Sequence, residues 1–484
     1  MNVFLLTMGC AKNAVDSERL GGRLVSAGHR IVASAEEAEV GIINTCGFIQ
    51  DAVKENVDAI LDLEAMKGGG TLRHIVVAGC LVNRYESELR KELPSVDLFA
   101  RAEDWDRIVD WLAEADRGVV PGRARRRVAL GEGAPWTRYL KVGEGCDTFC
   151  SYCAIPLIRG RLRSAPVEAL VEEALTLCRE GARELCLVGQ DLTAYGTDLY
   201  GTPGIRRLLT ELDAELPQGV WVRLLYMHPD RMTEDLVDFL CGRRTVLRYL
   251  DVPIQHVDDD VLARMNRRTT GEHIRRIFRH IRENDPLFAI RTTIMTGFPG
   301  ETERQFGRVL DFLEEAELDR VGAFVYSPEE GTPAASFPDQ IPRSTAEERY
   351  ARLMELQSGI TQARSELLLG RDLDVLVEDA EAPEMGESWS KTAGVRGAAA
   401  ASVSHRASSS SALTARAVMS SSQRANLACA LWTKARVTCQ GSRPSRNASH
   451  CRLVGSTPRV ARRSTTSSPR TGESFSQPMR QAWA

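Results

Sequence analysis

The segment Cys146-Asp-Thr-Phe-Cys150-Ser-Tyr-Cys153 places three cysteines at the spacing C-x3-C-x2-C, directly after a short apolar run over 138–142. Three thiolates this close together can bind three irons of a [4Fe–4S] cluster. No fourth cysteine follows at short range, so one iron would keep an open position, as catalytic metals do. A structural zinc site, which usually draws on four protein ligands, or simple packing of the thiols is the alternative. The segment predicts a cluster-binding loop after the first strand of an α/β domain.

Six apolar runs of strand length, separated by amphipathic helical patterns, extend from this loop towards the C-terminus. They cover residues 138–142, 184–188, 221–225, 249–254, 289–295 and 322–326. Strand–helix alternation of this kind is typical of parallel α/β folds, and six units predict a partial (β/α)6 barrel. Barrel enzymes build their active sites just past the strand ends. The polar residues at these points are Gln190, Asp191, His228, Gln255, His256 and Glu301. They are candidate cofactor or substrate contacts, with strand-end hydrogen-bond anchors as the alternative.

Three more apolar runs open the chain, at 3–8, 40–44 and 75–78, with helical patterns between them. They predict an N-terminal open parallel-sheet α/β domain. The runs end at Cys10, Cys46 and Cys80. Parallel sheets bind ligands at the carboxyl ends of their strands, whereas core packing would scatter cysteines within the strands. We therefore expect this N-terminal trio to ligate a metal or a cluster.

Changes in composition predict the domain boundaries. The N-terminal domain covers 1–118, a basic linker rich in Gly, Pro and Arg covers 119–134, and the barrel covers 135–370. A long amphipathic helix over 346–369 ends the barrel, and a brief strand-like run over 373–377 follows it.

The segment 386–484 has a different character, with 20 serines and 15 Lys and Arg against two acidic residues. The whole chain has 62 basic and 66 acidic residues, so 47 and 64 of them lie in residues 1–385. The main body is therefore acidic and shows no basic surface for nucleic acid. The tail is expected to be largely disordered. It is read either as a frameshifted segment or as a native basic arm that binds RNA, and resequencing near codon 386 would distinguish these.

Twelve cysteines in a chain without a secretion signal favour metal or redox chemistry in a reducing compartment over a disulfide framework. Cys178, Cys186 and Cys241 lie inside apolar patterns and are expected in the core. No run approaches the roughly 18 apolar residues that span a bilayer. We expect a cytoplasmic protein without membrane association.

The cysteine loop resembles that of the radical S-adenosylmethionine (SAM) superfamily, whose motif is C-x3-C-x-aromatic-C, with Tyr152 at the aromatic position. The resemblance implies that Cys146, Cys150 and Cys153 hold a [4Fe–4S] cluster whose open iron chelates SAM. One electron from the cluster would cleave SAM to methionine and a 5′-deoxyadenosyl radical. The residues implied to contact the cofactor are Tyr152, Arg163, Gln190, Gly297, Gly300 and Glu301. The arginines at 159, 161 and 163 have two alternative interpretations. They pair with the SAM carboxylate, or they form a basic loop that is exposed to solvent.

The N-terminal trio narrows the resemblance to the methylthiotransferases, which carry a second [4Fe–4S] cluster on three cysteines of an N-terminal α/β domain. Cys10, Cys46 and Cys80 match those positions. The resemblance therefore implies two [4Fe–4S] clusters and two SAM molecules. One SAM would methylate sulfur carried by the second cluster, and the other would supply the radical that removes a substrate hydrogen.

Several motifs are similar to the RimO branch, which modifies the β-carbon of an aspartate in the twelfth small-subunit ribosomal protein. They include Gly9-Cys10-Ala-Lys-Asn13, Asn44-Thr-Cys46-Gly-Phe-Ile49, Tyr249-Leu-Asp-Val-Pro-Ile-Gln-His256 and Gly297-Phe-Pro-Gly-Glu-Thr302. The MiaB branch, which modifies a transfer-RNA adenosine, favours Gln-Met-Asn where Ala11-Lys12-Asn13 stands here. The RimO resemblance also implies an electron donor such as flavodoxin or ferredoxin and a monomeric enzyme.

The chain departs from the family after the barrel. The family has a C-terminal TRAM β-barrel that helps to bind the substrate, and only 371–385 resembles a remnant of it. Ala165 also stands where relatives usually have arginine, and Ala11 where they usually have proline. The alternatives are therefore a transfer-RNA methylthiotransferase and an iron–sulfur protein that is inactive because the TRAM domain is lost.

Overall fold

The computed structural model describes residues 1–115, 127–130, 136–369 and 371–376, together with four short strands in the C-terminal tail. Most of the predicted linker and tail, and residues 377–385 of the TRAM remnant, lie outside the described residues.

Five parallel strands form the sheet of the described N-terminal domain, in the order β2-β1-β3-β4-β5. They are β1 (Asn2–Thr7), β2 (Arg30–Val32), β3 (Val40–Thr45), β4 (His74–Gly79) and β5 (Leu98–Ala100). The helices are α1 (Ala11–Ser26), α2 (Gln50–Gly68), α3 (Cys80–Glu92) and α4 (Trp105–Ala115). The three strands expected from the sequence are confirmed. The three-residue strands β2 and β5 were not predicted, because runs this short carry no clear period.

The strand order places a topological switch point between β1 and β3, where the order reverses along the sheet. Ligands of open α/β sheets bind outside the carboxyl ends of the strands at such a point. Cys10 follows β1 and Cys46 follows β3, so these two cysteines flank the crevice. The topology alone brings them together.

Six parallel strands form the second sheet, in the order β13-β12-β11-β10-β9-β6. The strands of this region, including the small antiparallel ribbon β7-β8, are β6 (Thr137–Lys141), β7 (Gly143–Glu144), β8 (Arg163–Ser164), β9 (Glu184–Val188), β10 (Trp221–Leu224), β11 (Val246–Asp251), β12 (Ala289–Thr296) and β13 (Arg320–Val325). The helices are α5 (Ile155–Arg159), α6 (Val167–Arg179), α7 (Thr197–Tyr200), α8 (Ile205–Glu215), α9 (Glu234–Cys241), α10 (Asp259–Arg264), α11 (Gly271–Asn284), α12 (Glu303–Ala316) and α13 (Arg343–Glu366). Each strand pairs with its neighbour in chain order, and β6 and β13 are the edges, which confirms the partial barrel.

The predicted strand over 249–254 is shifted, since β11 ends at Asp251. Pro253 has no N–H to donate to the ladder, so the strand stops before it. Leu185 and Leu187 of β9 belong to the core between the sheet and its helices. Because side chains alternate along a strand, Glu184 and Cys186 point to the opposite, inner face. Glu184 there accepts a hydrogen bond of 2.6 Å from Arg223.

The two domains are joined by buried ion pairs. Arg127, in the described part of the predicted linker, donates to Glu18 of α1 at 2.9 Å and to Glu173 of α6 at 2.8 Å. Arg84 of α3 donates to Glu329 at 2.9 Å, and both side chains are almost fully buried. Breaking a buried pair leaves an uncompensated charge, so these contacts hold the cysteine-bearing edges together.

Beyond α13, the strand β14 (Asp372–Leu376) confirms the short strand expected from the sequence. Four further strands are β15 (Ser402–His405), β16 (Thr414–Val418), β17 (Ala435–Cys439) and β18 (Cys451–Gly455). β14 and β15 pair antiparallel with β16, and β17 pairs with β18. The sequence predicts a largely disordered tail, and apart from these four strands the residues of the tail lie outside the described part. None of the described helices combines the length and apolar character needed to cross a membrane.

Candidate active site

The N-terminal cysteine trio converges on Asn13, in the first turn of α1. Asn13 Oδ1 lies 3.9 Å from Sγ of both Cys10 and Cys80. The Asn13 amide donates to the carbonyls of Met8 and Thr45, which tie the ends of β1 and β3 to this turn. The three thiols that the sequence places at separate strand ends are therefore neighbours in the fold.

Gly9 allows Cys46 to approach Cys10. Its φ is +98°, a left-handed value that favours glycine, and a Cβ there would lie 2.8 Å from Cys46 Cβ and 3.3 Å from Cys46 Sγ. Any larger residue at position 9 would push Cys46 out of the trio.

Arg159, the last residue of α5 in the barrel domain, reaches the N-terminal trio. Its Nε donates to Cys80 Sγ at 3.1 Å, and one of its terminal nitrogens donates to Asn13 Oδ1 at 2.6 Å. Burial raises the pKa of Cys80 to about 11, and the Arg159 guanidinium opposes this shift. Cluster ligands must be thiolates, so a cation that favours the charged form of Cys80 fits an iron–sulfur ligand.

The barrel cysteines lie in a loop that is fixed by hydrogen bonds to Met265 and Asn266, directly after α10. Ser151 N–H donates to the Met265 carbonyl at 3.0 Å, and the Asn266 amide donates to the Phe149 carbonyl at 2.8 Å. Phe149 itself has a left-handed φ of +51°. Burial raises the pKa of Cys153 to about 12, and Cys150 and Cys146 act in the same direction. The three thiols are half-buried and lie close enough for Cys146 and Cys150 to act on Cys153, which suits a bound cation or cluster.

Within the described residues, no group of three or more His, Cys, Asp or Glu side chains is close enough to hold a single metal ion. A [4Fe–4S] cluster binds each cysteine through a different iron, so its ligands stand farther apart than those of one ion. This finding therefore concerns single ions and not clusters.

A buried ion network connects the two trios. Arg159 donates to Asp16 and to Glu144 at 3.1 Å each. Lys141, at the end of β6, also forms ion pairs with both carboxylates. Burial by itself would raise the pKa of Glu144, but Lys141 and Arg159 outweigh it and hold that pKa at about 2. Glu144 is thus a permanent anion two residues before Cys146.

Gln190, a predicted cofactor contact, donates to Glu144 Oε1 at 3.0 Å, which places it beside this network. Its own side-chain oxygen is buried and accepts no hydrogen bond from the described residues. Arg163, also a predicted contact, is exposed on β8. The buried arginine of this basic segment is Arg159, which the sequence could not separate from Arg161 and Arg163. The roles of Gln190 and Arg163 towards SAM stay predictions.

Tyr152 lies between the barrel cysteines, and its ring packs edge-on against Phe298 at a centroid distance of 6.5 Å. Both belong to an apolar cluster with Met265 and Met295. The ring therefore forms an apolar wall beside the loop, which excludes water.

The remaining predicted cofactor contacts are Gly297, Gly300 and Glu301. Each has a contact within the protein that explains why this residue type is present. A Cβ on Gly297 would lie 2.3 Å from Ala346 Cβ of α13, and a Cβ on Gly300 would lie 2.0 Å from the Arg264 guanidinium. Glu301 is fully buried and pairs with Arg349 at 2.7 Å. Their role in binding SAM stays a prediction, since these contacts account for all three without a cofactor.

Replacing Gly297 by alanine is expected to lower the free energy of unfolding by roughly 1–3 kcal/mol, because overpacking and a non-glycine residue at positive φ both cost stability. The φ of Gly297 is +77°, and the new methyl group would collide with Ala346. Urea unfolding should show the loss. The double variant with Ala346→Gly should recover the steric part. A Gly297→Ala chain of unchanged stability but weakened SAM binding would favour the cofactor role instead.

Comparison with known proteins agrees with this architecture. Residues 2–100 match the family described as "Uncharacterized protein family UPF0004", and residues 140–313 match the radical SAM superfamily. The fold is also similar to the radical SAM methyltransferase TsrM from Kitasatospora setae, with a TM-score of 0.51 and 14% identity over 69% of this chain and 74% of that one. The family match over the partial barrel defines a radical SAM enzyme, a class that uses a [4Fe–4S] cluster and SAM.

Relatives similar over most of the chain narrow this class. A protein of Geobacter sulfurreducens named "Ribosomal protein uS12 methylthiotransferase RimO" is 43% identical over 387 residues, which cover 78% of this chain and 86% of the relative. Proteins of the same name from Natranaerobius thermophilus and Symbiobacterium thermophilum are 38% and 41% identical, over 81% and 80% of this chain and 90% and 81% of the relatives. The chain belongs to the RimO family of radical SAM methylthiotransferases.

Proposed function

We propose that this chain transfers a methylthio group to the β-carbon of an aspartate in ribosomal protein uS12. The proposal includes two [4Fe–4S] clusters, one on Cys10, Cys46 and Cys80 and the other on Cys146, Cys150 and Cys153. The name of the relatives supports ribosomal protein uS12 as the substrate. One observation supports a second cluster beside the barrel cluster. Arg159 of the barrel domain donates to Cys80 of the N-terminal domain at 3.1 Å.

This chain's own residues orient the two cysteine trios. Asn13 lies between Cys10 and Cys80. Arg159 donates to Cys80 and Asn13, and also to Asp16 and Glu144. Because these contacts are buried, the ion pairs are weakly screened and direct the two strand-end edges towards each other. When bound, the cluster and SAM supply the one-electron chemistry that attacks an unactivated C–H bond.

The protein keeps the reacting groups away from solvent. Tyr152 and Phe298 pack beside the barrel cysteines, and the nearly buried Arg159 covers Cys80, the buried member of the N-terminal trio. Exclusion of water protects reactive species from side reactions. We further infer that flavodoxin or ferredoxin supplies the electrons and that the chain works as a monomer in the cytoplasm.

The reconstituted full chain, supplied with SAM and a reductant, is expected to add one methylthio group to uS12 and none to transfer RNA. Mass spectrometry of both substrates checks this result. A Cys10→Ala chain serves as the matched control and should still cleave SAM while leaving uS12 unmodified.

Modification of transfer RNA instead of uS12 would contradict the proposal and favour the adenosine-modifying alternative. SAM cleavage by the parent chain without modification of either substrate would indicate that the altered C-terminal region has removed substrate capture.

A further inference from the structure

Lys12 is largely buried, and no described carboxylate neutralises its charge directly. It lies in the first turn of α1, two residues after Cys10, and is 9% exposed. Its ammonium stands 4.3 Å from the centre of the Tyr226 ring, at the mouth of the barrel. Within the described part of the chain, no hydrogen bond or ion pair engages this ammonium. Buried charges are normally paired, so the site is suited to an anion.

The aromatic partner is held in an unusual conformation. Tyr226 follows β10 and has a φ of +62°, a left-handed value that is uncommon for a bulky residue. Its N–H donates to Asp251 at 3.3 Å, and its carbonyl accepts from the Leu192 N–H at 3.1 Å. Backbone strain that the surroundings maintain is concentrated at functional sites. Here it presents the ring to Lys12.

The charges around Lys12 leave a positive excess. Asp251 is the nearby carboxylate, and it already pairs with Arg291 at 3.2 Å. Asp251 is almost fully buried, whereas the Arg291 side chain is 40% exposed and keeps free donors. Two cations therefore share one carboxylate at the barrel mouth.

Two anions could balance this excess: the thiolates of the N-terminal trio or a group of the substrate. The trio already has its own cation, because Arg159 donates directly to Cys80. Within the described residues, no hydrogen bond joins Lys12 to a sulfur of the trio. Its ammonium lies on the barrel side, over Tyr226. These observations favour a group of the substrate as the anion that balances the charge of Lys12.

We propose that Lys12 and Arg291 form the site that binds the side-chain carboxylate of the target residue in uS12. This inference rests on the proposed function and deepens it. The ammonium of Lys12 donates a charge-assisted hydrogen bond to the carboxylate, and Arg291 offers a second donor. The Tyr226 ring stabilises the ammonium by a cation–π contact. In an aspartate, this carboxylate is bonded to the β-carbon, the atom that receives the methylthio group under the proposed function.

The test compares uS12 with a form whose target aspartate is replaced by asparagine. Both are titrated against the reconstituted full chain by fluorescence anisotropy. The parent should bind the aspartate form about tenfold or more tightly, as expected for a hydrogen bond between two charged groups. Lys12→Met should remove this preference by weakening only the aspartate form. Lys12→Arg should retain part of it.

Iron content and SAM cleavage without substrate should be unchanged in Lys12→Met. The exposed Lys54→Met, on α2, is the matched control and should behave as the parent. Equal losses for both forms of uS12 would overturn the carboxylate site. Loss of iron in Lys12→Met would also overturn it. So would a changed reduction potential of the cluster while the preference for the aspartate form is kept, because Lys12 would then act on the cysteine trio. A parent chain that binds neither form would refute the proposed function itself, and the inference with it.

Discussion

Replacing Cys146, Cys150 and Cys153 by alanine is expected to lower the iron content of the reconstituted chain from about eight to about four per polypeptide, since each cysteine trio would hold one cubane of four irons. SAM cleavage should disappear with the barrel cluster. The trios lie in different domains and have separate supports, Asn13 for one and the loop after α10 for the other. Iron and acid-labile sulfide analysis after anaerobic reconstitution measures the effect.

The reciprocal variant, with alanine at Cys10, Cys46 and Cys80, should show the same loss of iron but should still cleave SAM. Cys241→Ala changes a partly buried cysteine that packs against the barrel core outside both trios. It is the control and should keep all the iron. A parent with about four irons that fall to none in the first variant would leave only the barrel cluster. The sulfur-carrying role of the N-terminal trio would then have to be abandoned.

Arg159→Met is expected to cost about 3–5 kcal/mol of unfolding free energy, the usual effect of removing one partner from a buried ion pair. It would leave the buried carboxylates of Asp16 and Glu144 with Lys141 as their remaining ion-pair partner among the described residues. Because the pKa of Glu144 is held at about 2, this group stays ionised near neutral pH in the parent and its charge must be compensated. Chemical denaturation followed by circular dichroism measures the loss.

Arg161→Met is the matched control, since Arg161 lies two residues away with a side chain that is 76% exposed and an ion-pair partner only at 3.7 Å. It should unfold like the parent. Arg159→Lys keeps the charge but loses the forked donors, and we expect intermediate stability. Equal stability of Arg159→Met and Arg161→Met would mean that the network contributes nothing to the joining of the domains.

The cysteine loop and the barrel could be located in the sequence because their signals are local. Cys146, Cys150 and Cys153 fall within eight consecutive residues, and each predicted apolar run is contained in four to seven residues. The position of Cys46 and Cys80 at strand ends follows from the same periods. In contrast, nothing local distinguishes Arg159 from Arg161, because the partners that bury Arg159 are Asp16 and Cys80, at least 79 residues away.

By itself, the sequence determined the two α/β domains, the six candidate cysteine ligands and the resemblance to methylthiotransferases. Only the tertiary structure decided which side chains support the cysteines. Gly297 is required where Ala346 packs against it, and Lys12 meets Tyr226 only after β1 and β10 are placed at one junction. The physical reason is that periodicity and spacing encode the conformation of a segment. Pairing of buried charges depends on distances between segments, which arise only when the domains pack.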